Sequence, residues 1–89
     1  MGFFGARGIT LDQGLTDVNL EEARTKHQMA QMCQQVVGIL DATKWGKVAV
    51  VTFAALDEVH RIITDDGAPC ALVAAVRQLG VEVELVPDD

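Results

Sequence analysis

Val36-Val37-Gly38-Ile39-Leu40 is an unbroken apolar run that stops abruptly at Asp41-Ala42-Thr43-Lys44-Trp45-Gly46. A strand with one solvated face alternates apolar and polar residues, so a run without alternation belongs to a strand covered on both faces. That reading puts a carboxylate and an ammonium just beyond the carboxyl end of a buried strand. In open α/β sheets ligands sit in the crevice at that end. Asp41 and Lys44 are therefore candidate ligand contacts, weighed against the plainer reading of a polar turn with a solvated Lys.

The composition agrees with strands of this kind. Hydrophobic residues make up 49% of the 89-residue chain and aromatics only 4%, which suits an α/β domain built from Val, Ile, Leu and Ala. So high an apolar fraction in one short domain also leads us to expect burial against another subunit or another segment. The formal net charge of −6 comes without any basic stripe, so the segment lacks the positive footprint that binding nucleic acid requires. Cys33 and Cys70 are far apart, and neither forms a C-x-x-C pair. There is no signal peptide and no apolar run of the ~18 residues that would span a membrane. The expectation is a cytoplasmic protein with reduced, buried structural thiols.

Along the chain, Met1 to Ile9 reads as a strand running into the Gly-rich turn Gly5-Ala6-Arg7-Gly8, and residues 10–18 as a loop. Asn19 and Glu22 have the spacing of a capping box, so a helix begins at Leu20 and runs to about Gln35. Its apolar stripe would be Leu20, Ala23, Ala30 and Cys33. Glu22 and Lys26 stand i, i+4 in the order that favours a surface ion pair. His27 and His60 have no ligand-like spacing around them, so no metal or cofactor is expected.

Residues 47–56 are apolar and open between a strand and a buried connection. Val59–Thr64 reads as a strand ending in Asp65-Asp66-Gly67. Asp66 is expected to cap the next helix, with Pro69 in its first turn, while the role of Asp65 stays open. That helix, Pro69–Leu79, would bury Ala71, Leu72, Ala75, Val76 and Leu79, and Gly80 would stop it. Val81–Val86 alternates cleanly, as a strand near the sheet edge does. The order of elements is the βαβ pattern of an α/β fold with a mostly parallel sheet and flanking helices.

Four stretches carry a family likeness: F-F-G-A-R-G-I (Phe3–Ile9), G-L-T-D-V-N-L-E-E-A-R-T-K (Gly14–Lys26), L-D-A-T-K-W-G (Leu40–Gly46) and I-T-D-D-G (Ile63–Gly67). In this order they resemble the C-terminal half of the effector-sensing domain of DeoR-type transcriptional repressors. The resemblance implies a sensor similar in fold to ribose-5-phosphate isomerase and CoA transferases. It also implies a phosphorylated sugar as effector and no catalysis, while the high apolar fraction and a sheet left open at one edge lead us to expect homo-oligomeric assembly. DNA would be reached only through a helix-turn-helix domain that these 89 residues do not contain. Mapped onto the family motifs, Lys26 would contact phosphate or hydroxyl, Asp41 sugar hydroxyls and Lys44 an anionic group. Gly5, Ala6 and Gly8 would line the cleft with backbone. Two other readings stand beside this one: part of a sugar-phosphate isomerase or deaminase with Asp41 as general base, and a purely oligomerising remnant.

Overall fold

The computed structural model describes residues 1–87 and contains two sheets and two α-helices. Strands β1 (Gly2–Gly5), β4 (Val36–Ile39), β6 (Arg61–Asp65) and β7 (Glu82–Val86) form an all-parallel sheet in the order β1-β4-β6-β7. Its register aligns Phe4 with Gly38 and Gly38 with Ile62. The sequence predicts this sheet, including the interior position of the apolar run and β7 at an edge.

A second sheet is antiparallel, in the order β2-β3-β5, from β2 (Gly8–Thr10), β3 (Gly14–Asp17) and β5 (Val51–Ala54). One expectation changes here and one open reading is resolved. Residues 10–18 are not all loop, and within residues 47–56 only Val51–Ala54 is strand. All four residues of β3 are buried, two of them polar, so no alternation marks the strand. Burial of Thr16 is possible because its hydroxyl accepts from the Ala49 amide at 3.0 Å.

The two sheets share one core. Leu15 of β3 lies against Gly38 of β4, where an added Cβ would come within 3.0 Å of a Leu15 methyl. Phe4 and Phe53 stack at a tilt, ring centroids 6.3 Å apart, joining β1 to β5. Ile9, Leu15, Phe53 and Ile62 are almost wholly withdrawn from water. Each such side chain contributes roughly 1.5–3 kcal/mol by leaving water. Chain crossover occurs at Ala6-Arg7, which leave the parallel sheet at Gly5 and enter the antiparallel one at Gly8.

Helix α1 (Leu20–Gln31) starts at Asn19, whose side chain accepts from the Glu22 amide at 3.0 Å. It ends four residues before the expected Gln35, and only Ala23 and Ala30 are buried; Leu20 stays half exposed. Small residues suffice on that face because α1 lies close against β5, with Nδ1 of His27 3.0 Å from the Phe53 carbonyl. Helix α2 (Cys70–Gln78) buries Val73 and Val76 and hands over to Gly80 at φ +94°. Its N-cap is Pro69, without a side-chain cap, so Asp66 does not have the capping role expected of it. Cys70 is exposed and Cys33 only partly buried, against the expectation of two buried thiols.

Gly5 and Gly8 flank the crossover under opposite constraints. A Cβ on Gly8 would lie 2.2 Å from the Lys47 carbonyl oxygen and 2.8 Å from Thr16 Oγ1, while one on Gly5 meets nothing nearer than 4.0 Å. Gly8→Ala should therefore destabilise by about 1–3 kcal/mol, as overpacking against backbone does, and Gly5→Ala by less than about 1 kcal/mol. Denaturant unfolding of the two variants checks this; equal losses would contradict the packing described.

Candidate functional site

A cleft of about 760 Å³ opens over the carboxyl ends of the parallel strands. Gly5, Ile39 and Val86, which end β1, β4 and β7, line it together with Ile63 of β6. Of the residues singled out in the sequence, Gly5, Ala6, Lys26, Asp41 and Lys44 all line it. Gly8 does not, because it is packed between Lys47 and Thr16. Arg7, Asp17, Glu22, Thr64 and Asp65 also line the cleft, and sequence reasoning assigned none of them a role there.

The central contact is between Asp17, at the end of β3, and Lys26, on α1. Lys26 Nζ lies 2.5 Å from Asp17 Oδ2 and donates to the Gly5 carbonyl at 2.7 Å. It also sits 5.1 Å from the Phe53 ring centroid. The expected surface pair with Glu22 is therefore replaced by a longer-range one. Glu22 stays exposed, whereas the Asp17 side chain is 1% exposed and that of Lys26 25%. An ion pair away from bulk water is worth more than a solvated one, so the local pair loses. Burial pushes the Asp17 carboxyl up. The Lys26 hydrogen bond and charge, with the Val18 and Asn19 amides, outweigh that and hold it below the usual carboxylate range.

The opposite wall is the turn after β4. Asp41 caps a short 3-10 helix (Ala42–Lys44), accepting from the Thr43 amide at 2.9 Å and from the Thr43 hydroxyl. The Thr43 hydroxyl first, then its amide and the nearby Lys44 and Lys47 charges, keep this exposed carboxyl below its ordinary value against the opposing effect of desolvation. Lys44 Nζ is 3.9 Å from Asp41 Oδ2, an ion pair without a hydrogen bond. From β6, Asp65 Oδ1 accepts from the Ala42 amide at 2.5 Å, and the Thr64 hydroxyl accepts from Trp45 Nε1 at 3.1 Å. These two bonds fix the turn to the neighbouring strand. Asp65, left open by the sequence, thus serves to hold the Asp41–Lys44 wall in place.

The arrangement has carboxylates for hydroxyl donors, cations for an anionic group, and strand-end backbone between them. Among the described residues, no group of His, Cys, Asp and Glu is arranged to hold a metal, and no helix is long and apolar enough to cross a membrane.

Fold and cleft together place the chain among α/β domains with a cleft at the carboxyl edge of a parallel sheet, the edge at which such folds bind their ligands. Residues 1–66 match the family model for the DeoR C terminal sensor domain, and the chain belongs to that family. Over 83 residues it is 30% identical to the HTH-type transcriptional regulator GolR of Listeria innocua, covering 93% of this chain and 33% of that protein. It is 29% identical over 86 residues to the putative aga operon transcriptional repressor of Escherichia coli O157:H7, covering 97% and 32%. With the glycerol-3-phosphate regulon repressor of Escherichia coli K12 it shares 26% over 84 residues, covering 94% and 33%. The chain spans about a third of the length of these curated relatives.

Asp17 titrates lower in the folded chain than in the unfolded one, so its pair with Lys26 stabilises the fold at neutral pH. That contribution is retained above the ordinary carboxylate value of about 3.9 and is lost as pH falls from there through the lower folded value. Urea unfolding between pH 7 and pH 2 should show stability falling over this window, less steeply in Asp17→Asn. Identical slopes in the two proteins would contradict the assignment.

Proposed function

We propose that this chain is the C-terminal part of the effector-sensing domain of a DeoR-type repressor of sugar metabolism, and that its cleft binds a phosphorylated sugar. The observation that carries the proposal is the convergence of Asp41, Lys44, Lys26 and the Gly5-Ala6 backbone on one cleft at the carboxyl ends of the parallel strands. Sugar hydroxyls need acceptors and a phosphate needs cations, and the cleft offers both within one volume. The name of one relative, a glycerol-3-phosphate regulon repressor, supports a phosphorylated effector. In this reading the regulator works in the cytoplasm and reaches DNA through a helix-turn-helix domain, as the names of the HTH-type relatives suggest.

Binding without turnover fits the carboxylates better than catalysis does. A general base works best with a pKa near the operating pH. Asp17 and Asp41 are both shifted the other way and already accept hydrogen bonds. Assembly is part of the proposal as well. β1 pairs only with β4 among the described residues, and Phe3 on this edge strand is 59% exposed. An unpaired edge bearing an exposed aromatic is a surface on which a further strand or subunit can dock.

Calorimetric titration with ribose-5-phosphate, glucosamine-6-phosphate, glycerol 3-phosphate and the corresponding unphosphorylated compounds tests the effector reading. We expect at least one phosphorylated compound to bind, to remain unconverted, and to lose about tenfold or more in affinity in Asp41→Asn. Conversion of the compound would instead favour an isomerase or deaminase. Failure of every compound to bind would leave an oligomerising unit.

A further inference from the structure

The cleft holds three cations, Arg7, Lys26 and Lys44, and they are not equally available. Lys26 is committed. Its ammonium is shared between the Asp17 carboxylate and the Gly5 carbonyl, and Asp17 is almost completely buried. Drawing Lys26 onto a ligand would leave a buried carboxylate without its counter-charge, which strongly opposes the move.

Arg7 is in the opposite condition. Its backbone is fixed at the crossover between the two sheets, where its amide donates to the Thr16 carbonyl at 2.9 Å, directly after the buried Ala6. Among the described residues the guanidinium of this exposed arginine makes no hydrogen bond and no ion pair, although Arg7 lines a cleft that also holds four carboxylates, those of Asp17, Glu22, Asp41 and Asp65. Lys44 is held on its turn and touches Asp41 only at 3.9 Å. Resting on the effector reading above, we propose that Arg7 is the principal anchor of the ligand's phosphate and Lys44 its second cation. Lys26 is then a positioning residue that stays on Asp17.

The chemistry favours this division. A phosphate monoester carries up to two negative charges at neutral pH, and two cations without hydrogen-bonded partners can offset them. The planar guanidinium fork grips two phosphate oxygens at once, whereas an ammonium acts as a point charge. A fixed backbone under Arg7 also limits the ordering cost of binding to the side chain itself.

The test measures, by calorimetry on the full chain, the affinity of whichever phosphorylated compound of the panel binds, with inorganic phosphate as competitor. Arg7→Gln should weaken binding about tenfold or more and abolish competition by phosphate, with an unchanged melting temperature. Arg7→Lys should recover part of the affinity, because it restores charge but not the fork. Lys26→Met should instead lower the melting temperature. Intact affinity in Arg7→Gln would overturn this assignment while leaving the effector reading in place. No binding of any phosphorylated compound by the unaltered chain would overturn both.

Discussion

One buried carboxylate governs how the two sheets meet. Asp17 ends β3 in the antiparallel sheet, Gly5 ends β1 in the parallel sheet, and Lys26 projects from α1 onto both. The same ammonium sits against the Phe53 ring of β5. A single cation therefore ties both sheets to the helix that covers them. A carboxylate can be buried there only because Lys26 and the Val18 amide, 2.7 Å from Oδ1, both reach it. Remove the cation and the burial of Asp17 becomes a penalty, and the end of β1 is held against β3 only by the backbone bond from the Arg7 amide to the Thr16 carbonyl and by apolar packing.

The cleft follows from this tie and from a second, weaker set of bonds across from it. On one side the Asp17–Lys26 pair fixes the wall beside Gly5 and Ala6. On the other, Thr64 and Asp65 of β6 hold the turn that follows β4, so Asp41 and Lys44 are presented on a braced backbone. Parallel pairing is what brings these pieces together, since all four strands deliver their carboxyl ends to the same edge. Sites built this way gain their polar groups from several distant segments, and the strands set how far apart those groups stand.

Much of the parallel framework was legible in the sequence. The apolar run at Val36–Leu40, the Asn19 cap, the alternation in Val81–Val86 and the Gly80 stop each come from a local rule of period or capping. The antiparallel sheet was not legible, because β3 buries Thr16 and Asp17 as well as Leu15 and so shows neither period. Its strand character depends on partners far along the chain, such as the Ala49 amide for Thr16. Lys26 stands out in the sequence as a candidate, but helical spacing points to Glu22 as its partner. The pairing turns on which carboxylate is buried, and sequence spacing does not carry burial. Arg7 is not legible for a related reason. Within G-A-R-G it reads as a turn residue, and only the crossover between sheets brings it to the rim of the cleft.

The claim that Asp17 and Lys26 act as one unit is tested most directly by a double-mutant cycle, with urea unfolding of Asp17→Asn, Lys26→Met and the double variant at pH 7. Lys26→Met alone should cost about 3 kcal/mol, at the lower end of the range for orphaning a buried charge because Lys26 keeps some contact with solvent. The double variant should recover a large part of that loss, giving a coupling of roughly 1–3 kcal/mol. Losses that simply add would mean that the pair is incidental and that the two sheets are held together by their apolar core alone.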